Sequence, residues 1–338
     1  MKKKGFTLVE LLVVIAIIAL LMGILMPALN RVRQIAFRMI CGTHLKGIGS
    51  SMLLYSNDNG DAYPAAGIGS YNVWASTGTI ANFAATGAGA MASAFNAGES
   101  TITACLFMLV KSYDVTPSQF VCKGDTGTKE FKLADTGTTV TDMSIVWDFG
   151  NGTGAVGSYP KPGQYNSYAY HSPYGTGVSG SNFPISATSN PGSPVCSDRN
   201  PYLDKNAWGN TAGMCTGYLD HGDLAPGAVA AYWDATSGIG EYKDPDKTGN
   251  CAAHQREGQN VLFNDGHASF EKYPNVGIEN DHIWKHWAET TPPTEASDRQ
   301  VGGLTSSSTG TAAGANGGTT NVPMSDKDAY LVSESNIL

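Results

Sequence analysis

The chain has 338 residues, a formal net charge of −8 at pH 7 and a pI near 5.3. This acidic balance argues against nucleic acid as a partner, because phosphate binding needs a basic face. Charged residues make up only 15% of the chain while glycine supplies 41 positions, which indicates a loop-rich chain. The length allows one large head domain or a small domain with long insertions, and we predict one domain because no second run of periodic elements separates cleanly.

The first feature along the chain is an apolar segment from Phe6 to Met26, in which Glu10 is the only charged residue. About 20 apolar residues are enough to cross the hydrocarbon core of a bilayer as a helix. Only Met1, three lysines and Gly5 precede the segment, and no small-residue cleavage site follows it, so the pattern is not that of an ordinary secretory signal. The sequence predicts a single-pass membrane helix over residues 6–26, with any cleavage in front of it.

The junction Gly5-Phe6-Thr-Leu, followed by Glu10, resembles the type III signal of type IV prepilins and type II secretion pseudopilins. The resemblance implies a leader peptide of residues 1–5, cleavage after Gly5 by a prepilin peptidase on the cytoplasmic face, and N-methylation of Phe6. It also implies that Glu10 pairs with the Phe6 amine of a neighbouring subunit during assembly. A carboxylate inside a bilayer costs a few kcal/mol, so such residues are usually paired or functional; hydration near the interface is the alternative.

Gly23 and Pro27 form a second informative pair near the end of the apolar segment. Proline removes its own amide donor, and its ring collides with the carbonyl four residues back, which here belongs to Gly23. The pair predicts a point where the helix kinks or unwinds when a subunit leaves the lipid for a filament. A harmless kink in a membrane anchor explains the pair almost as well.

Beyond Pro27 the helical pattern continues as an amphipathic half over residues 27–57. Apolar side chains recur there at steps of three and four, as one face of a helix requires. They are Phe37, Cys41, Leu45, Ile48, Met52 and Tyr55. The helix should end at the turn signal of residues 57–61, after which residues 58–338 form the head.

The segment that contains Cys41, Leu45 and Lys46 runs into a Tyr63-Pro64 turn. It is similar to pilin-like proteins abundant in Planctomycetes, Verrucomicrobia and Lentisphaerae, which carry a Cys-x-x-Asn-Leu-Lys segment before a Tyr-Pro turn. His44 stands where that pattern has Asn. The Phe-x-Cys that ends at Cys122 resembles the same group.

Residues 260–270 predict a hairpin of two short strands around Asp265-Gly266, since Asp-Gly suits a tight hairpin turn. With His254 upstream, the hairpin resembles the prepilin-type processing-associated domain named for His-x9-Asp-Gly, although ten residues separate His254 from Asp265 here. His254, Asp265 and His267 also suggest a metal-dependent enzyme. We interpret them as structural, because the turn favours Asp265 and no ligand-motif spacing is present, and we predict no cofactor, no metal and no catalysis.

The six cysteines show no Cys-x-x-Cys spacing of the kind found in zinc sites. Their even number, in a head outside the inner membrane, favours disulfides, with fifteen possible pairings among which the sequence does not choose. They are Cys41, Cys105, Cys122, Cys196, Cys215 and Cys251.

Further elements are predicted in the rest of the head. A short apolar helix begins at Cys105, strands cover residues 165–170 and 228–234, and a closing strand covers residues 329–333. Residues 126–250 are rich in Gly, Ser, Pro and Tyr and suggest an insertion. Its tyrosines favour burial against the sheet over binding of a glycan.

These patterns together predict an α+β, pilin-like fold, in which a long N-terminal helix carries a small antiparallel sheet with large loops. The resemblance implies a structural subunit of a type IV pilus-like filament or a type II secretion pseudopilus. Its partners would be other pilin-like subunits, a prepilin peptidase and an inner-membrane assembly platform, with the head on the periplasmic side. The alternative is a membrane-anchored surface module that binds polysaccharide on a pilin-like stalk.

Overall fold

The computed structural model describes residues 8–66, 73–74, 99–100, 102–125, 127–136, 142–149, 162–171, 173, 183–199, 250–278, 281, 283–284, 326–329 and 331–332. Within these residues the chain forms two α-helices, a five-stranded antiparallel sheet, a short parallel strand pair and several turns of 3-10 helix. This is the α+β, pilin-like architecture that the sequence predicts.

Helix α1 runs from Leu8 to Asp58 and is unbroken at Pro27. Its 51 residues give it a length of about 76 Å. Every residue from 8 to 33 is exposed, and the first buried residue is Cys41. The helix therefore has one half that leaves the head and one half that belongs to it.

The head half of α1 buries one face, as the predicted stripe requires. Cys41, Leu45, Ile48, Met52 and Tyr55 are all buried, whereas Phe37 at the start of the stripe is only half-buried. The helix ends in the predicted turn, where the backbone enters the left-handed region at residues 60 and 61. Glycine and aspartate tolerate that region better than most residues.

The strands of the main sheet are β3 (Tyr168–His171), β4 (Pro194–Asp198), β5 (Gln259–Phe263), β6 (Ala268–Glu271) and β7 (Leu331–Val332). Their order in the sheet is β6-β5-β4-β3-β7, and all neighbouring strands are antiparallel. Two-residue strands β1 (Val73–Trp74) and β2 (Glu99–Ser100) pair in parallel. The hairpin β5–β6 and the closing strand β7 confirm the predicted elements.

The sheet separates two apolar clusters, because successive side chains along a strand point to opposite faces. On one face, Tyr168, Tyr170 and Leu262 join α1 and helix α2 (Ile102–Ser112) in the larger cluster. On the other face, Val261 and neighbouring side chains form a smaller cluster. Its members are Ala169, Val261, Phe263, Ile283, Trp284, Ala329 and Leu331.

Helix α1 packs closely on strand β5 at Gly49. A Cβ atom at this position would lie 2.8 Å from Cδ1 of Leu262 in β5. The absence of a side chain therefore lets the helix approach the strand, which anchors the long helix to the sheet.

Strands β3 and β4 come from residues 126–250, the range that the sequence suggests is an insertion. They occupy two of the inner positions of the sheet, so this part of the range belongs to the framework of the head. The predicted strand over residues 228–234 lies outside the described residues.

Candidate functional site

The projecting half of α1 presents an apolar surface. Leu8 is 78% exposed and Ile24 is 68% exposed. Of the helices that the structure describes, α1 is the one long and apolar enough to cross a membrane, and it fits a single-pass membrane anchor. Continuous exposed apolar patches mark interaction or membrane surfaces, so this half is a candidate surface for contact with lipid or with other helices.

The predicted assembly residues lie on this projecting half. Glu10 is in the first turn of α1 and is exposed. Gly23 has open space around the position of a Cβ atom, and Pro27 lies inside the unbroken helix. Gly5 and Phe6, the predicted processing residues, lie outside the described residues.

The Tyr63-Pro64 turn packs against the other motif regions of the head. The Tyr63 hydroxyl donates a hydrogen bond to Oδ1 of Asn264, at 2.7 Å, and the Tyr170 hydroxyl donates to the Pro64 carbonyl, at 3.0 Å. Burial raises the pKa of Tyr63 to about 12, so its hydroxyl stays protonated and keeps donating. The turn is thus held between the β5–β6 hairpin and strand β3.

Asp265, Gly266 and His267 serve the hairpin turn. The backbone φ of Gly266 is +84°, a conformation that glycine adopts without steric cost. Oδ1 of Asp265 accepts a hydrogen bond from the backbone amide of His267, at 3.0 Å, and contacts its Nδ1, at 2.5 Å. These bonds lower the pKa of Asp265. Among the described residues, Asp265 and His267 do not group with His254 as metal ligands.

His254 instead belongs to a buried cluster with Cys41, Cys122 and Asp198, which we call the thiol-imidazole cluster. One ligand atom from each residue lies within 4.8 Å of those from the other three. Nε2 of His254 is 3.0 Å from Oδ2 of Asp198 and 3.7 Å from Sγ of Cys122. All four residues are buried, and the most exposed of them, His254, has only 3% of its surface accessible.

Four separate elements bring these residues together. Cys41 lies on the buried face of α1, and Asp198 ends strand β4. Cys122 follows the 3-10 helix Pro117–Phe120, and His254 ends the short 3-10 helix Ala252–His254. The cluster therefore joins the long helix to three parts of the head.

Close backbone approach helps to form the cluster at Gly124. A Cβ atom there would lie only 2.3 Å from the carbonyl oxygen of Ala253 and 3.3 Å from Nδ1 of His254. The amide of Gly124 also donates to Sγ of Cys122, at 3.4 Å. Glycine at this position lets the segments that carry Cys122 and His254 lie against each other.

The cluster perturbs the protonation of its members. Burial alone would lower the pKa of His254, but the Asp198 carboxylate and the contact with Cys41 outweigh it and raise the pKa to about 10. The hydrogen bond from Cys122 lowers the pKa of Cys41 to about 6, although burial opposes the shift. The same hydrogen bond, with burial, raises the pKa of Cys122. These opposing shifts arise because two thiols, an imidazole and a carboxylate are packed together out of contact with water.

Asp198 accepts several hydrogen bonds through one of its oxygens. The backbone amide of Asn260 donates to Oδ2 at 2.6 Å, and the Asn260 side chain donates to it at 3.0 Å. Oδ1 is buried and has no hydrogen-bond partner among the described residues. Since buried polar atoms are nearly always paired, an unpaired Oδ1 at this position is unusual.

The disulfide prediction is not confirmed. The five cysteines that the structure describes are buried and form no disulfide with one another, and Cys215 lies outside the described residues. The sulfurs of Cys41 and Cys122 lie within 4.8 Å of each other in one cluster. Cys41 and Cys122 face a histidine and a carboxylate, while Sγ of Cys105 accepts a hydrogen bond from the backbone amide of Ala66, at 3.3 Å.

The tyrosines that the structure describes in the range 126–250 are buried, as predicted. Tyr165, Tyr168 and Tyr170 have no exposed surface, so these three do not offer a platform for a glycan. The described tyrosines therefore do not support the polysaccharide-binding alternative.

Sequence reasoning named three members of the cluster without joining them. Cys41, Cys122 and His254 each carry one of the family resemblances, but they lie far apart in the chain. Asp198 was missed altogether, because it lies in a range that no recognised motif covers. All three of these residues belong to recognised motifs, and this shared property was the signal from which their proximity could have been inferred.

Comparison with known proteins adds one finding. Residues 1–26 match the prokaryotic N-terminal methylation motif. The match supports a type IV pilin-like protein, and the motif family is structural. It implies assembly into pilus-like filaments with other subunits and processing by a prepilin peptidase. No match was found among curated proteins or among solved structures.

Proposed function

We propose that this chain is a structural subunit of a type IV pilus-like filament or a type II secretion pseudopilus. The observation that carries the proposal is the projecting half of α1. It is apolar, exposed from residue 8 to residue 33, and continuous with the half that packs in the head. The methylation motif at residues 1–26 lies at the free end of this same helix.

Such a helix is stable in two apolar environments, first the bilayer and then the filament. Before assembly, the bilayer covers residues 6–26. In a filament, helices of neighbouring subunits cover one another, at about 25 cal/mol per Å² of apolar surface removed from water. The helix can move from one environment to the other because neither leaves its apolar side chains in water. The weak point at Gly23 and Pro27 lets it adjust as it moves.

In this proposal the precursor is an inner-membrane protein with a periplasmic head. A prepilin peptidase cleaves after Gly5, the new amine of Phe6 is methylated, and an assembly platform adds the subunit to the filament. Mass spectrometry of the membrane-extracted protein should find an N-terminus at Phe6 with one added methyl group. Gly5→Ala should retain residues 1–5. An unprocessed N-terminus in the parent protein contradicts this step.

Assembly itself is tested at Glu10, whose carboxylate we assign to pairing with the Phe6 amine of the next subunit. Glu10→Leu should insert into the membrane at least as well as the parent protein, because it removes a charge from lipid, but should enter filaments poorly or not at all. Leu20→Ala, at an exposed position of the same helix, is the control: it removes part of one apolar side chain and no charge, so it should still assemble.

Filament yield is measured by electron microscopy of cells and sheared fractions, with a label in the head. Labelled filaments from the parent protein and from Leu20→Ala, and few from Glu10→Leu, support the proposal. Equal yield from all three removes the pairing role of Glu10. A parent protein that is processed and expressed but never found in filaments overturns the assembly function.

A further inference from the structure

The thiol-imidazole cluster has the chemical composition of a metal centre. Thiolate, imidazole and carboxylate are the ligands that Zn²⁺ takes in proteins, and four of them close a structural site. Soft thiolates select zinc over magnesium or calcium, which prefer oxygen ligands. The donor set in the head contains two sulfurs, one nitrogen and one carboxylate.

The spacing of the donor atoms also fits. Zn–S bonds near 2.3 Å and Zn–N or Zn–O bonds near 2.0–2.2 Å place tetrahedral ligand atoms roughly 3.3 to 3.8 Å apart. The distance from Sγ of Cys122 to Nε2 of His254 is 3.7 Å, and that from Nε2 to Oδ2 of Asp198 is 3.0 Å. With all four atoms within 4.8 Å of one another, small side-chain shifts would bring them round a single ion.

A second observation points the same way. Asp198 is fully buried, and its Oδ1 has no hydrogen-bond partner among the described residues. Burying a carboxylate oxygen without a partner is costly. A cation bound by both oxygens of this carboxylate would satisfy Oδ1.

The surroundings resemble the outer shell of a metal centre. The backbone amide and side-chain amide of Asn260 both donate to Oδ2 of Asp198, and the Gly124 amide donates to Sγ of Cys122. Such donors orient ligating carboxylates and thiolates and tune the ion that they hold.

We propose that Cys41, Cys122, Asp198 and His254 bind one Zn²⁺ ion in a closed structural site. Both cysteines bind as thiolates and the histidine binds as neutral imidazole. Four protein ligands leave no position for a substrate, so the ion holds structure and does not catalyse. Its role is structural because the four ligands come from different elements. The ion links α1 to strand β4 and to the segments that carry Cys122 and His254. The proposal does not depend on the filament function.

The test uses the full-length chain, purified in detergent without metal-affinity chromatography. Elemental analysis should find about one zinc ion per chain. Chelation should remove the ion, and added Zn²⁺ should restore it and raise the unfolding temperature, because binding to the native state stabilises that state. Cys122→Ser and Asp198→Asn should each weaken Zn²⁺ binding at least about 100-fold, the upper end of the effect of losing an outer-shell partner.

Cys105→Ala is the matched control, since Cys105 is equally buried but lies outside the cluster; it should keep a full complement of zinc. Folding of each variant is checked by circular dichroism. A readout that does not depend on variants is cobalt substitution. Co²⁺ added to the chelated parent protein should give the visible bands of a tetrahedral ion together with thiolate-to-cobalt charge transfer.

Three outcomes overturn the proposal. The first is parent protein that neither contains zinc nor takes up Zn²⁺ or Co²⁺. The second is a disulfide between Cys41 and Cys122, found by mass spectrometry of unreduced protein. The third is undiminished Zn²⁺ affinity in folded Cys122→Ser and Asp198→Asn.

Discussion

Arg199 is a buried cation next to the cluster residue Asp198 in the chain, but it serves a different part of the head. Its guanidinium lies 3.6 Å from the Asp125 carboxylate and donates to the Gly163 carbonyl, at 2.7 Å, and to Oγ1 of Thr128, at 2.8 Å. Burial would raise the pKa of Asp125, but Arg199 and the hydrogen bonds to that carboxylate outweigh it and lower the pKa. The ionised carboxylate therefore contributes stability above its unfolded pKa, and this contribution is lost as the pH falls through its folded pKa.

Arg199→Met should destabilise the head by about 3 to 5 kcal/mol, because it leaves the Asp125 carboxylate buried without its cation. Lys132→Met, at an exposed position of the same region, should change the stability by less than about 0.5 kcal/mol. Chemical denaturation of the full chain in detergent, followed by tryptophan fluorescence, measures both. A similar midpoint for the two variants would show that the Arg199 contacts contribute little.

At the residue scale, local patterns predicted the turn residues and missed the buried polar ones. Asp265 and Gly266 are specified by the turn that they form. Asp198 and Arg199 are adjacent, yet one faces the thiol-imidazole cluster and the other faces Asp125. Nothing in the spacing of these residues encodes partners that far away in the chain.

At the scale of elements, the two faces of α1 should respond differently to the loss of a side chain. Leu45 has no exposed surface and lies in the main apolar cluster, whereas Leu54 is 57% exposed. Leu45→Ala should cost about 2 to 5 kcal/mol through lost burial and the cavity left behind. Leu54→Ala should be nearly neutral for the head, since it opens no cavity.

The same denaturation assay compares these two leucine variants. Both substitutions replace leucine with a strong helix former, so a difference between them reports packing and not helix propensity. Equal destabilisation would mean that the Leu54 face is also covered.

Elements with a local signal were predicted well. The stripe of α1 follows the helical period, and the β5–β6 hairpin is marked by its Asp-Gly turn. Strand β4 was not predicted, because all five of its residues are buried and no alternation marks it. The order of the strands in the sheet was not predicted either, since it depends on contacts between distant parts of the chain.

At the scale of the whole molecule, the head should depend on its last described strand. Leu331 is fully buried, β7 pairs with β3, and the Leu331 amide donates to the Ile283 carbonyl, at 2.8 Å. A chain that ends at Asp328 should lose about 2 to 5 kcal/mol, as for the deletion of a buried leucine. It should also aggregate more readily, because β3 becomes an unprotected edge.

A chain that ends at Val332 keeps β7 and is the matched control for this truncation. Its unfolding midpoint and solubility should stay close to those of the full chain. Equal behaviour of the two truncated chains would show that β7 is dispensable for the head.

The strand order also determines how late in synthesis the sheet of the head can be completed. Tyr170 in β3 pairs with Val332 in β7, so an edge of the sheet cannot form until almost the entire described chain has been synthesised. Sheets built from such distant pairings fold slowly, on the scale of milliseconds to seconds, while synthesis proceeds at about 5 to 20 residues per second. The apolar helix α1 is made first, and β7, the last described strand of the sheet, is made last. The head therefore stays incomplete for seconds after its first strands have been synthesised.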